Sequence, residues 1–367
     1  MNILFYSPFN NRSRDTESLM LSFKEMGHRV ISLSQNNGDF IHPFLRKQGI
    51  DTFSFVLGEK KGSLYFLQHL IHLIWFCYRN RVDVIYSHLE SANFVSSLAQ
   101  YFVRARVFIC RHHIDEARLR GFDRALYYRL TYKLAKHIIV VSNRGLDYMV
   151  KSEGIPMSKI HKINLAYDFK LYSAPCFEKV SELRTSNVCD VLLLSVARLT
   201  SFKRIDLSIE TLYGLVKNGI DARLMILGAG SELVKLKELA ISYGLYKRIS
   251  FPGHVQNVAD YLAASDYLVH PSILESSCVI VKEAGLIERP VIVCKDVGDF
   301  DEYIFHKKNG FIVDPDHFAD QAVACIMQSY KNKAGLANMG YQLNLEIIRH
   351  FSIENIIFEY NKLNSRA

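Results

Sequence analysis

Tyr267-Leu268-Val269-His270-Pro271-Ser272-Ile273-Leu274-Glu275-Ser276-Ser277-Cys278-Val279-Ile280-Val281-Lys282-Glu283-Ala284 reads as a short strand, a polar loop and the start of a helix. The apolar run Tyr267 to His270 has the length of a strand, and a helix is expected to begin near Ser277. Glu283 then falls within the first two turns of that helix. Glu275 stays in the loop at the carboxyl edge of the sheet, where open α/β sheets bind their ligands.

The same grammar extends in both directions. Strands are expected at Val191 to Ala197, Ala222 to Leu227, Ile249 to Phe251 and Val291 to Cys294, and upstream at Asn2 to Ser7, Arg29 to Ser34, Thr52 to Val56, Val82 to Ser87, Arg106 to Cys110 and Lys136 to Val141. Longer amphipathic stretches fill the gaps, notably Thr16 to Met26 and Ala125 to Ala135. Strands alternating with helices are the pattern of parallel sheets. The order restarts after a polar stretch from Lys170 to Asp190, so the reading is an α/β protein of two Rossmann-like, doubly wound domains, residues 1–170 and 171–350. Ser352-Ile353-Glu354-Asn355 caps a last helix within 351–367, with Ile356, Ile357, Phe358, Tyr360 and Leu363 at near-helical spacing.

Bulk properties narrow the class. The 367 residues are too many for one ordinary core. Seven scattered cysteines, with none at C-x-x-C spacing, suggest reduced thiols, a cytoplasmic protein and no structural zinc. Met1-Asn2-Ile3-Leu4 reads as a strand rather than a signal peptide. The most apolar run, Tyr65 to Tyr78, is shorter than the roughly 20 residues a spanning helix needs, and a buried helix is expected there.

Net charge is +8, and residues 104–136 hold nine Lys/Arg against three acids. No nucleic-acid-binding module accompanies them. Arg129, Lys133 and Lys136 are expected on one helical face, with Leu126, Leu130 and Leu134 packing inward on the other.

A carboxylate at a sheet edge suits paired sugar hydroxyls, because it accepts several hydrogen bonds at once and discriminates against analogues lacking those donors. The second polar constellation is Ser195-Val196-Ala197-Arg198-Leu199-Thr200-Ser201-Phe202-Lys203-Arg204, again a strand entering a loop. Arg198 and Lys203 there are placed to neutralise a diphosphate, a task other enzymes give to a metal. Asp314-Pro315-Asp316 looks like a metal-binding D-x-D but reads better as a cap and turn. Gly228-Ala229-Gly230 is a tight turn, since Leu233 occupies the third glycine of a dinucleotide fingerprint.

Together with Leu227-Gly228-Ala229-Gly230 and Ile249-Ser250-Phe251-Pro252-Gly253, these segments resemble glycosyltransferase family 4 in order and spacing. The resemblance continues through Gly298, Glu302 and Asn309-Gly310-Phe311-Ile312-Val313, and more loosely through Gly27-His28, Asp83 to His88 and Val141-Ser142. It implies the GT-B arrangement, two Rossmann-like domains facing a central cleft, with the last helix crossing back to the N-terminal domain. It further implies metal-independent, retaining transfer from a nucleotide sugar, UDP-linked, with no separate cofactor. Arg198 and Lys203 would bind the diphosphate, Glu283 the ribose and Glu275 the transferred sugar. Gly253, His254 and Val255 would flank the base, and Ser276, Ser277, Cys278 and Val279 would line the donor. His113, with His112 beside it, would reach the donor sugar from the N-terminal domain.

The acceptor implied is a glycan or lipid-linked molecule of surface polysaccharide or glycolipid synthesis. The basic stretch 104–136 then suggests peripheral attachment to an anionic inner membrane face. Three segments depart from the family pattern. Ser276-Ser277-Cys278 stands where glycines are usual, Asn10-Asn11-Arg12-Ser13-Arg14 replaces a Gly-Gly loop, and Leu165-Ala166-Tyr167 replaces an Asn-Gly. They leave open a non-catalytic nucleotide-sugar-binding subunit, and an epimerase of the same fold is the other alternative.

Overall fold

The computed structural model describes residues 1–8, 13–37, 39–57, 62–112 and 125–365, and among them thirteen strands form two all-parallel sheets. The first has the order β3-β2-β1-β4-β5-β6-β7, from β1 (Asn2–Ser7), β2 (Arg29–Ser34), β3 (Asp51–Ser54), β4 (Val84–His88), β5 (Arg106–Arg111), β6 (His137–Val140) and β7 (Ile160–Lys162). The second has the order β10-β9-β8-β11-β12-β13, from β8 (Val191–Val196), β9 (Ala222–Leu227), β10 (Ile249–Gly253), β11 (Tyr267–His270), β12 (Val291–Cys294) and β13 (Phe311–Val313). Each sheet reverses its winding at its first strand, the doubly wound order of a Rossmann-like domain.

The central strands are continuous apolar runs because helices cover both faces, as all-parallel sheets require. Leu192, Leu193 and Leu194 of β8 and Ile3, Leu4 and Phe5 of β1 are all buried.

The chain divides into two compact units, Met1–Leu171 with Phe351–Ala367, and Tyr172–His350. The last helix, Ile353–Ser365, is therefore part of the first unit. Ile353, Ile356, Ile357, Tyr360 and Leu363 pack into the cluster of Phe5, Phe23, Tyr86 and Phe108. Burial of such side chains is worth roughly 1.5–3 kcal/mol each. The Tyr86 hydroxyl donates to Asn364 Oδ1 at 2.8 Å, which sets the helix's register on β4.

Several local expectations are corrected. The polar stretch 170–190 contains a helix, Phe177–Ser186, docked beside the helix Val258–Ala264, where the Cys176 N–H donates to Asp260. The short strand β7 was not expected; its three residues are too few for a periodic signal. The helix after Glu275 begins at Val279 with Cys278 as its N-cap residue, later than Ser277.

The apolar helix, Ser63–Asn80, is not a buried helix. Tyr65, His69, Leu73, Phe76 and Cys77 face the core, while Leu64, Leu67, Ile71, Trp75 and Tyr78 are each more than half exposed. Helix Ala125–Leu134 is rotated from the expected setting. Tyr128, Thr131 and Tyr132 are its buried positions and Leu130 is exposed beside Arg129 and Lys133, because the aromatic rings bury more apolar area than the leucine. Leu126 lies outside the residues whose side chains are described, as does much of the basic stretch between 113 and 124.

Candidate active site

In the second unit the loops after the adjacent strands β8 and β11 are tied together. The Ile273 N–H donates to the Phe202 carbonyl at 3.1 Å, and the Ser272 hydroxyl reaches the same oxygen at 3.4 Å. The tie sets Lys203 against Glu275, and the ammonium donates to Glu275 Oε1. The same oxygen lies 2.7 Å from His270 Nε2, at the end of β11. Burial by itself would raise the Glu275 pKa, but His270 and Lys203 outweigh it and hold the carboxyl at about 2. Burial would likewise lower the His270 pKa; the adjoining Cys278 sulfur, 3.3 Å away, and Glu275 reverse this and raise it to about 9. Glu275 is thus a fixed carboxylate between two cations at the point where the sheet's winding reverses.

The loop that carries Glu275 is anchored from beneath. Ser277 Oγ donates to Asp299 Oδ2 at 2.5 Å, and Lys282 Nζ reaches the same oxygen at 2.8 Å. Lys282 also donates to the Cys278 carbonyl at 3.3 Å. Gly298 closes against the other side. Its φ is +59°, and a Cβ there would stand 3.0 Å from Glu275 Cβ and 3.3 Å from the Ser276 carbonyl oxygen. The side chains that replace the usual glycines are accommodated in this way, with Ser277 bound to Asp299 and Cys278 turned to His270.

Arg198 is exposed just beyond β8. Its loop rests on the Gly228-Ala229-Gly230 turn, where Leu199 N–H donates to the Ala229 carbonyl at 2.9 Å. A Cβ on Gly228 would lie 1.9 Å from the Ala197 carbonyl oxygen, and one on Gly230 2.2 Å from that of Leu199, so both glycines permit a backbone-to-backbone approach. Glu283 is half-buried in the second turn of the helix Val279–Leu286, and Gly253, at φ +78°, ends β10 ahead of exposed His254 and half-buried Val255. Asp314 accepts from the Asp316 N–H at 2.9 Å, as the cap reading expects.

In the first unit, His112 follows β5 and its Nε2 lies 2.9 Å from Nδ1 of His88, at the end of β4. His88 is buried and stacks on Phe5 with 5.9 Å between ring centroids. Burial lowers the pKa of both imidazoles, which keeps them neutral. His113 lies outside the described residues.

Of the expected residues, Lys203 and Glu275 meet directly and Cys278 joins them through His270, whereas Arg198, Glu283, His254 and Val255 lie along the same edge of the sheet. Three participants were not anticipated, His270, Lys282 and Asp299, and Gly298 was named only as part of the resemblance. The available signal was Lys282 itself, a lysine between Val281 and Glu283 on a helix whose other residues, Glu283 aside, are apolar or glycine.

A family model described as Glycosyl transferases group 1 matches residues 181–343, and one described as Glycosyltransferase Family 4 matches residues 14–170. The chain belongs to the family 4-type glycosyltransferases. The transferase is 22% identical over 294 residues to the N-acetyl-alpha-D-glucosaminyl L-malate synthase of Bacillus anthracis, covering 78% of this chain and 75% of that protein. It is 24% identical over 234 residues to the poly(ribitol-phosphate) alpha-N-acetylglucosaminyltransferase of Staphylococcus aureus, covering 64% of this chain and 47% of that one. Among solved structures, Anabaena Alr3699/HepE in complex with UDP superposes over the whole of both chains with a TM-score of 0.85 at 19% identity. The sucrose-phosphate synthase of Thermosynechococcus elongatus does so over 100% of this chain and 99% of that one, with a TM-score of 0.80 at 16% identity. The fold of the transferase is thus GT-B, two Rossmann-like domains. No helix among the described residues is long and apolar enough to cross a membrane.

Proposed function

We propose that this glycosyltransferase moves a sugar, with retention of anomeric configuration, from a UDP-sugar to a glycan or lipid-linked acceptor in surface polysaccharide or glycolipid synthesis. The observation that carries the reading is the Lys203–Glu275 ion pair at the winding reversal of the second sheet. A carboxylate held near pKa 2 presents only acceptor oxygens, which is what sugar hydroxyls need. Lys203 is the group that an arriving diphosphate would draw toward itself. With Arg198 it would meet the charge that grows on the departing diphosphate, and the reading asks for no metal or other cofactor. Preorganised cations of this kind act mainly in the transition state, where they lower the barrier rather than tighten substrate binding.

Two further observations support the finer points. The relatives' names specify alpha-N-acetylglucosaminyl products, which from an α-configured UDP-sugar corresponds to retention. Solved structures of Anabaena Alr3699/HepE, which share the fold, hold UDP, UDP with glucose and UDP-glucose. Glu283 is assigned to the ribose, the segment Gly253-His254-Val255 to the base, and the backbone of Ser276 to Val279 to the donor. His112 or His113 is assigned to the sugar side. The alternative of a non-catalytic subunit drew on the lost glycines, and the inward binding of Ser277 and Cys278 removes much of its force.

The test is a donor screen of UDP-, GDP- and ADP-sugars by thermal shift and nucleotide release, alongside Lys203→Ala and Glu283→Ala. Stabilisation and turnover with a UDP-sugar, lost in both variants, is the expected result. NMR of the product's anomeric proton then reads retention, and an inverted product or an exclusive response to GDP- or ADP-sugars refutes the corresponding part of the reading.

A further inference from the structure

Among the described residues, no element covers the outer face of the helix Ser63–Asn80. Leu64, Leu67, Ile71, Trp75 and Tyr78 follow one another at spacings of three and four, so on a helix of 3.6 residues per turn they form a stripe about 80° wide and about 21 Å long. The stripe continues onto the next elements. The Tyr78 hydroxyl donates to the Phe102 carbonyl at 2.8 Å, and that of Tyr101 to the Leu134 carbonyl at 2.9 Å, with Tyr101 and Phe102 themselves more than half exposed.

Among the described residues, the segments that border this face are predominantly basic. The Arg79 guanidinium lies 5.6 Å from the centre of the Trp75 ring, and Lys136 Nζ 4.8 Å from that of Tyr101. Arg81, Arg104, Arg129 and Lys133 on the same segments are exposed. No Asp or Glu occurs in residues 63–80, 101–112 or 125–137.

We infer that this face docks on an anionic lipid surface, with the helix Ser63–Asn80 lying in the plane of the interface. An apolar helix stripe with cations at its edges and no carboxylate is the composition of an interfacial helix. Tyrosine and tryptophan, with an apolar body and a polar tip, suit the headgroup boundary, and the cations meet lipid phosphates. A second copy of this chain would instead set this basic rim against itself. The site differs from the basic stretch 104–136 taken alone, because its apolar part comes from a helix expected to be buried. The inference rests on the transferase reading only for its purpose, that of holding the enzyme at a lipid-linked acceptor; binding itself is measured without donor or acceptor.

Trp75 is the chain's one tryptophan, so its fluorescence reports this face directly. The full chain is titrated with phosphatidylcholine vesicles and with vesicles containing phosphatidylglycerol, at low and high salt. Expected are a blue-shifted emission and co-sedimentation with the anionic vesicles, weakened at least tenfold by salt. Leu67→Glu/Ile71→Glu, both exposed positions, is expected to weaken partitioning by about tenfold or more while keeping the wild-type melting temperature and its response to UDP. Arg79→Glu/Lys136→Glu is expected to erase the preference for anionic lipid. Unchanged emission at saturating anionic vesicles overturns the proposal, as does unaltered partitioning of Leu67→Glu/Ile71→Glu. Lipid-independent dimerisation abolished by the same pair overturns it in favour of a second copy. A chain that binds vesicles but ignores every nucleotide sugar separates this inference from the failure of the transferase reading.

Discussion

Lys282 and Asp299 form an ion pair of 2.8 Å in which both side chains are almost wholly withdrawn from solvent. It lies directly beneath the loop that carries Glu275. Asp299 also accepts from Ser277, so one buried carboxylate joins the helix Val279–Leu286 to the loop ahead of it.

Breaking such a pair leaves an uncompensated buried charge. Lys282→Met is expected to destabilise the transferase by about 3–5 kcal/mol in denaturant unfolding. Replacing both partners, in Lys282→Met/Asp299→Leu, removes the orphaned charge and should recover part of that loss. Recovery of stability without recovery of turnover would mark the pair as a positioning device for Glu275. A loss below about 1 kcal/mol in the single variant contradicts the assignment.

The cationic arm of the site is tested by Lys203→Ala, for which turnover should fall about 100-fold or more, the usual cost of removing one preorganised group facing developing charge. Lys203 also neutralises Glu275 in the free protein, so Lys203→Ala exposes a carboxylate to the incoming diphosphate. UDP affinity, read by calorimetry, should therefore fall as well. Glu275→Gln should show the opposite division, with UDP binding kept or improved and discrimination between UDP and UDP-sugar lost. Equal effects of both variants on UDP binding would place Glu275 away from the sugar.

Gly298→Ala tests the loop from its other side. At φ +59° an L-residue is strained, and the new Cβ would stand 3.0 Å from Glu275 Cβ. The strain is expected to cost about 1–3 kcal/mol, with a further fall in turnover as the Glu275 loop is displaced. Gly27→Ala is the control. Its φ is +82° but nothing lies within 4 Å of the added carbon, so it should lose stability without this local effect.

The two sheets were legible in the sequence because parallel strands buried on both faces leave unbroken apolar runs such as Val191 to Leu194. Lys203 and Glu275 were legible as a spacing, but their contact was not, since it depends on the backbone tie between Phe202 and Ile273. The fate of Ser277 and Cys278 was hidden for a related reason. A serine read against a glycine pattern suggests obstruction, and only the position of Asp299 and His270 shows those side chains turned inward. The helix Ser63–Asn80 misled through its composition, because apolar residues on both faces raise its mean hydropathy and say nothing about which face finds a partner.

The last prediction concerns pH and follows from His270. Its pKa is raised to about 9 in the folded protein, against an ordinary value of 6.5. A group whose folded pKa lies above its unfolded value contributes stability that is complete below the unfolded pKa and is lost as pH rises through the folded one. The His270 contribution should therefore be full below about pH 6.5 and gone above about pH 9, with an upper limit of about 3 kcal/mol from the size of the shift. Glu275 has the opposite sign: held near 2, it keeps its contribution above the ordinary carboxylate range and loses it only as pH falls through that value. His270 Nδ1 is buried and finds no hydrogen-bond partner among the described residues, so the charge is stabilised from the Nε2 side alone. The measurement is the difference in unfolding free energy between the wild-type chain and His270→Gln from pH 6 to 9.5, with 1H–15N NMR reading the imidazole directly. A difference that shrinks across this window supports an imidazolium bound to Glu275. A flat difference, with a neutral imidazole at pH 7, would show that burial wins and that Lys203 alone holds the carboxylate ionised.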